Sequence, residues 1–179
     1  MGTLNQFLDD KRVVLEAALA AAMADPKPVE QHASVTVRGR SGVRVIKVRQ
    51  FEMINDTEAD FGGFDLGPTS PEHQLVALGG CIAHTAEMVA AFMRLSIEKI
   101  DVDVTASIHP LAQTPGYEHI PFGPYNMKYT LRIESTAPAE QLATLHQQVV
   151  ATCPLYNFLT KPQVIPGSLV VSVPEAAAP

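Results

Sequence analysis

Cys81 and Cys153 are the only cysteines in this chain of 179 residues. Cys81 lies in Leu78-Gly79-Gly80-Cys81-Ile82-Ala83-His84, inside a long apolar run opened by Ser70-Pro71-Glu72. Cys153 is followed at once by Pro154, and proline, with its fixed φ and missing N–H, suits the first position of a helix. The second sulfur is therefore expected at or beside a helix cap. Partial positive charge there favours the thiolate, which is the reactive form. One thiol on a buried helix and one at a helix start suggest thiol chemistry. Taken alone, either cysteine is more often a small apolar filler, and two cysteines also allow one intrachain disulfide.

Composition narrows the class of partner. Hydrophobic residues make up 46% and the formal charge is -6, which describes one globular domain with a substantial core and no basic surface for nucleic acid. Arg38, Arg40, Arg44 and Arg49 are interleaved with valines and read as the polar side of a hairpin. Lys11-Arg12 followed by an apolar, alanine-rich stretch imitates an export signal, but Asp9, Asp10 and Glu16 oppose that reading. Leu4, Phe7, Leu8, Leu15, Ala18, Leu19 and Ala22 instead recur at helical spacing, giving an amphipathic helix that ends near Pro26. No apolar run is expected to reach the roughly 18 residues of a membrane span. The expectation is a cytoplasmic protein with no membrane partner, whose thiols stay reduced.

The elements that must hold the cysteines follow from periodicity. Residues 1–30 read as an N-terminal helical extension and 31–179 as the main domain. Ser34 to Arg38 and Val43 to Val48 are valine-rich strands joined by Gly39-Arg40-Ser41-Gly42, a hairpin signal. After a glycine-containing loop, Ser70 is placed as the cap and Pro71 as the first residue of a largely buried helix running to about Leu95. Ile100, Val102, Val104, Ala106 and Ile108 alternate with polar residues, as do Met127, Tyr129, Leu131 and Ile133, so both stretches are half-exposed strands. The proline-containing segment 110–124 between them is a loop suited to rim a pocket. Helices at Ala139 to Ala151 and Pro154 to Thr160 and a last strand at Leu169 to Val173 complete the reading. The fold class is α+β, with an antiparallel sheet around a buried helix.

At this point the residues resemble a known family. Gly62-Gly63, Gly67-Pro68, Ser70-Pro71-Glu72 and Leu75-Val76-Ala77-Leu78-Gly79-Gly80-Cys81 resemble the central-helix motif of the OsmC/Ohr proteins (osmotically induced and organic hydroperoxide resistance proteins). Cys153-Pro154-Leu155 resembles their second cysteine motif, and Gly39-Arg40-Ser41-Gly42 their glycine-arginine hairpin. The matches fall in the family's order over about residues 32–174. The resemblance implies an OsmC-like domain over 31–179 and an intertwined homodimer whose central helices pack inside a wrapped sheet. It also implies a thiol peroxidase reducing organic hydroperoxides, with Cys81 peroxidatic, Cys153 resolving, Arg40 steadying thiolate and peroxide, and Glu72 holding the arginine. An external dithiol reductant of the lipoyl type would close the cycle, without metal or cofactor. The alternative is an OsmC-fold protein that binds a small molecule or lipid without peroxidase turnover.

The chemistry can be weighed on its own terms. A free thiol is only about 3% thiolate at pH 7, and a pKa near 6 would make it roughly 90%. Cys81 lies too deep in its helix to use the N-terminal dipole and needs a cation, for which Arg40 is the best candidate. Glu72 precedes Cys81 by nine residues, one fewer than in the peroxidases of the family. At about 100° per residue that spacing sets it on the opposite helix face unless the first turn is irregular. Gln74, seven before Cys81, shares its face. His84, three after, is within reach of the sulfur, though it is more often an ordinary interior histidine. Cys81, His84 and Cys153 match no compact zinc spacing. Gly79 and Gly80 each cost about 1 kcal/mol against alanine in a helix; close approach of a partner helix is a reason to keep them. A helix apolar around so much of its circumference predicts a homodimer.

Overall fold

The computed structural model describes residues 3–161 and 163–172. Helix α1 (Leu4–Ala24) starts at a capping box, in which Thr3 and Gln6 each accept the other's backbone N–H through their side chains. Only the first part of its expected apolar face is used. Leu8 is buried and Leu4 packs against the same core, whereas Ala18, Leu19 and Ala22 are exposed. Asn5 ties the helix down by accepting the Ile97 N–H at 2.7 Å.

Strands β1 (Ser34–Arg38) and β2 (Val43–Val48) form the expected hairpin. A third strand, β3 (Phe51–Asn55), pairs antiparallel with β2 and was not foreseen. The turn joining them is Arg49-Gln50, with Arg49 at φ +53°, so the glycine or asparagine that normally announces such a turn is missing. Among the described residues this sheet is little covered: Val35, Val37, Phe51, Met53 and Ile54 are all exposed. Its one firm anchor is the buried pair Asn55-Asp56. Asn55 donates to the Pro68 carbonyl at 2.8 Å, and Asp56 accepts the N–H groups of Phe64 and Leu66 at 3.0 and 3.2 Å. The loop so strapped contains a tight spot at Gly63, where a Cβ would lie 1.9 Å from the Thr57 carbonyl oxygen. No other residue fits there without moving backbone.

Helix α2 (Ser70–Met93) follows. Its cap is Thr69, not Ser70, and Pro71 falls in the first turn. It ends one residue short of Arg94, whose left-handed backbone (φ +55°) turns its N–H onto the Ala90 and Ala91 carbonyls. Strands β4 (Ile97–Ser107) and β5 (Tyr125–Ser135) form a second antiparallel pair with Val104 opposite Tyr129. Ile100, Val102, Val104 and Ala106 face inward as their alternation requires, whereas Ile108 lies beyond the strand end and is exposed. Helices α3 (Ala139–Thr152) and α4 (Pro154–Thr160) abut at Cys153. The fold is α+β as expected, but within one chain the antiparallel strands form two separate small sheets rather than one that wraps a helix.

The core is assembled on α2. Leu78, Ile82, Ala86, Val89 and Ala90 pack with Leu8, Ile97, Leu145, Val149 and Cys153. Full burial of each aliphatic side chain contributes about 1.5–3 kcal/mol. By length and composition α2 would suffice to cross a membrane, contrary to the expectation that no apolar run is long enough. Its packing against α1, α3, α4 and β4 makes it a core helix. Leu169 to Ser172 form no strand, and Val173 lies outside the described residues. Leu169, Val170 and Val171 are each more than three-quarters exposed, so the apolar run there pairs with no strand among the described residues.

Candidate active site

Two local features bring the cysteines together. Cys81 sits mid-way along α2 on the face that meets α3 and α4, and Cys153 ends α3 while serving as the N-cap residue of α4. Pro154 stops the first helix from continuing and starts the next. Asn157 secures the break: its side-chain amide donates to the carbonyls of Val150, Ala151 and Cys153 at 3.1, 3.3 and 2.9 Å. The Cys153 side chain makes no capping bond and is turned instead toward α2, where its Sγ lies 3.4 Å from Cys81 Sγ. Both thiols are free. Cys153 has no exposed surface, whereas Cys81 is only partly covered.

Burial pushes the Cys81 thiol above its ordinary value, and the neighbouring Cys153 adds to the shift; the Leu155 N–H and the Thr85 hydroxyl pull the other way without reversing it. The Thr85 hydroxyl also donates to the Cys81 carbonyl at 2.8 Å. Within one chain, therefore, the site holds the two thiols in contact, and no cation among the described residues offsets the shift at Cys81.

Arg40 and Glu72 lie apart from the sulfurs in this protomer. Arg40 is exposed on the turn between β1 and β2, with no hydrogen bond or ion pair among the described residues. Glu72 stays on the far face of α2, because the helix is regular from Ser70 onward. Its carboxylate closes the capping box, accepting the Thr69 N–H at 2.7 Å and the Thr69 hydroxyl at 2.9 Å. Those bonds hold its carboxyl below the usual range. His84 turns away from Cys81: it is exposed, with Nδ1 3.3 Å from Lys11 Nζ, which itself bonds Glu87 at 2.9 Å. Gln74 is half-buried on the Cys81 side and makes no side-chain hydrogen bond among the described residues.

Sequence reasoning missed two polar groups. Arg44 is half-buried and donates to Asn55 Oδ1, which also accepts from the Ser70 hydroxyl, so it braces the start of α2 instead of lining a solvent face. Burial opposes ionisation of the adjacent Asp56, but N–H bonds from Thr57, Leu66 and Phe64 and the Arg44 charge hold its carboxyl below the usual range. The second group is Tyr129, whose hydroxyl lies 2.7 Å from His146 Nε2 beside the Cys153 junction. Nothing in an alternating strand distinguishes one inward tyrosine as polar machinery.

Two of the concavities lined by α2 bear on the site. An apolar cleft of about 530 Å³ is bounded by Phe61, Ile108, Pro110 and Phe122, with Thr69 and Pro71 at its base. The loop 110–124 rims it as expected. Pro71 precedes Cys81 by ten residues, so the cleft stands about 15 Å from the sulfur along the helix axis. The other is an open groove along Leu75, Val76, Gly79, Gly80 and Ala83 beside β4. Its two glycines differ: a Cβ on Gly79 would meet Val104 Cγ2 at 3.3 Å, whereas one on Gly80 would meet nothing within 4 Å.

Comparison with known proteins places this geometry. Residues 63–166 match the OsmC-like protein family. No curated protein sequence matches the chain. Among solved structures, an OsmC-like protein from Mycoplasma pneumoniae superposes with a TM-score of 0.63 at 20% identity, over 75% of this chain and 89% of that one. An organic hydroperoxide resistance protein from Legionella pneumophila gives 0.53 at 16% identity over 74% and 90%. A putative organic hydroperoxide resistance protein from Vibrio cholerae, with captopril bound in one of its active sites, gives 0.54 at 18% over 75% and 87%. At these identities the likeness is one of fold.

Proposed function

The chain belongs to the OsmC-like protein family, and from that membership we propose that it is a cysteine-based peroxidase that reduces organic hydroperoxides. The observation that carries the reading is the 3.4 Å approach of two free thiols of unequal exposure. The accessible Cys81 is placed to meet peroxide, and the enclosed Cys153 to meet only Cys81. Attack of the Cys81 thiolate on the hydroperoxide breaks the O–O bond, leaving a sulfenic acid on sulfur and releasing the alcohol once the alkoxide takes up a proton. Cys153 then displaces the sulfenic hydroxyl, which leaves as water, and a disulfide forms. An external dithiol of the lipoyl type reduces it by two exchange steps and is itself oxidised to the cyclic disulfide.

Among the described residues of one protomer no cation reaches Cys81, and none covers the sheet β1–β3, the Gly80 face of α2 or the segment 164–171. Both needs are met by a homodimer in which a second copy covers these faces and brings Arg40 to the thiolate. The setting is proposed to be cytoplasmic, where reductant is available.

A second reading, binding of a small molecule or lipid without turnover, is favoured by two observations: Glu72 is spent on the Thr69 cap, and the apolar cleft stands away from the sulfurs. Consumption of cumene hydroperoxide with a dithiol reductant decides between them. Turnover that is lost in Cys81→Ser is the expected result; a wild type that retains two free thiols after hydroperoxide overturns the peroxidase.

A further inference from the structure

Pro154 leaves a gap in the hydrogen bonding of α3. The Cys153 N–H still reaches the Val149 carbonyl at 2.9 Å. The next carbonyl, that of Val150, would take its partner from residue 154, and proline has no N–H. Asn157, on α4, supplies the missing donor: its side-chain amide is shared among the Val150, Ala151 and Cys153 carbonyls at 3.1, 3.3 and 2.9 Å. We propose that Asn157 is a positioning residue for disulfide closure: by locking the α3–α4 joint it holds Cys153 in reach of Cys81 and sets the redox potential of the pair. The inference rests on the resolving role of Cys153 but is tested without peroxide.

These bonds fix the direction of the sulfur. Both main-chain polar groups of Cys153 are pinned, the N–H to α3 and the carbonyl twice to Asn157, through its backbone N–H at 3.1 Å and its side-chain amide at 2.9 Å. With the backbone so held at φ -64° and ψ 115°, only χ1 remains to place Sγ, and no capping bond competes for it. The sulfur turns to α2 and stops 3.4 Å from Cys81 Sγ. On its other side Asn157 accepts from Lys161 Nζ through Oδ1 at 2.8 Å. That bond orients the amide with its nitrogen toward the carbonyls, an arrangement a carboxylate of the same shape would not reproduce, since it would set an acceptor against three acceptors.

Holding one thiol in bonding reach of another raises its effective concentration. A joint already ordered in the dithiol has little left to order when the S–S bond closes, so the disulfide is favoured and its potential is more negative. Without Asn157, Leu145 and Val149 still seat α3 in the core, but the turn into α4 loosens and Cys153 spends time in directions from which it cannot attack. A tenfold fall in effective concentration corresponds to about 30 mV for this two-electron couple.

Asn157→Ala and Asn157→Asp test the assignment. In glutathione redox buffers, two glutathiones reduce the protein disulfide to two thiols and become glutathione disulfide, and counting free thiols gives the potential. Both variants are expected about 30 mV less negative than wild type. Ellman's reagent reads the kinetics. Cys81 sulfur displaces one thionitrobenzoate and is left in a mixed disulfide; Cys153, its proton lost to buffer, attacks that Cys81 sulfur, the protein S–S bond forms and the second thionitrobenzoate departs. The first release should match wild type and the second should be about tenfold slower at every pH, because geometry and not ionisation has changed. Thr3→Ala, which removes the α1 cap, controls for general destabilisation and should lower the melting temperature at an unchanged potential. If Asn157→Ala does not fold, Asn157→Asp, equal in size to the native residue, carries the test. The proposal is overturned if a folded variant keeps the wild-type potential and second release, if Asn157→Asp alone behaves as wild type, if the kinetic deficit vanishes in alkali, or if Thr3→Ala shifts the potential equally. Failure of the peroxidase reading shows differently: thiols intact after hydroperoxide, with the potential still dependent on Asn157.

Discussion

Cys153 Sγ stands 3.4 Å from Cys81 Sγ across 72 residues of sequence, and only the Cys81 side of the pair has a path to solvent. That asymmetry assigns order to the chemistry. Cumene hydroperoxide is expected to convert the pair to an intramolecular disulfide, read by mass spectrometry as the loss of both free thiols without added oxygen. Cys153→Ser should react once and stop at sulfenic or sulfinic acid, and Cys81→Ser should leave Cys153 unmodified because nothing reaches it. Oxidation of Cys153 alone in the Cys81→Ser protein would refute this order.

Thr69 and Glu72 give a prediction about stability. The capping box satisfies N–H groups at the start of the helix on which the core is built. Thr69→Ala should cost about 1 kcal/mol, visible as a lower melting temperature. Glu72 has a folded pKa below its ordinary value, so its contribution is present above the unfolded carboxyl range and is lost as pH falls through the folded value. Glu72→Gln should therefore be close to wild type in acid and slightly less stable at neutral pH. If peroxidase activity falls in Glu72→Gln by far more than this change allows, the residue also acts in the dimeric site.

Much of this arrangement could be read from residue order, and the failures share a cause. The β1–β2 hairpin, the strand alternations and the Cys153-Pro154 break depend on local signals, namely glycine turns, period-two patterning and proline, and each appears where expected. β3 was missed because its turn uses Arg49 at positive φ, where a glycine would have announced it. The strand expected at Leu169 to Val173 needs an edge to pair with, and a short apolar run does not by itself supply one. His84 shares a helix with Cys81, but the Lys11 amine of α1 and the cysteine lie on different sides, and spacing along one helix does not say which neighbour packs where. Tyr129 with His146 was invisible for the same reason: the contact joins a strand to a helix.

The two adjacent glycines of α2 separate packing within the chain from packing between chains. Gly79 is filled against Val104, whereas Gly80 has open space beside it. In a monomer Gly80→Ala should stabilise α2 by about 1 kcal/mol through helix propensity, and a larger residue should be tolerated. In the proposed dimer the same position lies under a partner helix, so Gly80→Phe should shift light scattering from dimer to monomer and expose apolar surface to a dye. A wild type that scatters as a monomer at micromolar concentration would remove both the dimer and the shared site.

Arg40 supplies the sharpest division between an enzyme and an inert thiol pair. Burial raises the Cys81 pKa in the protomer, so an unaided thiol would alkylate slowly at pH 7 and faster only as pH climbs into the alkaline range. A guanidinium brought beside it by the partner favours the thiolate, lowers the pKa and moves the profile to lower pH. Arg40→Ala should return Cys81 to the unaided profile, cutting alkylation at pH 7 by roughly an order of magnitude. Peroxide reduction should fall further, because the same cation stabilises charge on the departing oxygen. Arg40→Lys should recover only part of the rate, since an ammonium lacks the two-pronged donor geometry of the guanidinium. Alkylation profiles that coincide for wild type and Arg40→Ala would leave Arg40 an ordinary turn residue and Cys81 a half-buried thiol with no activating cation.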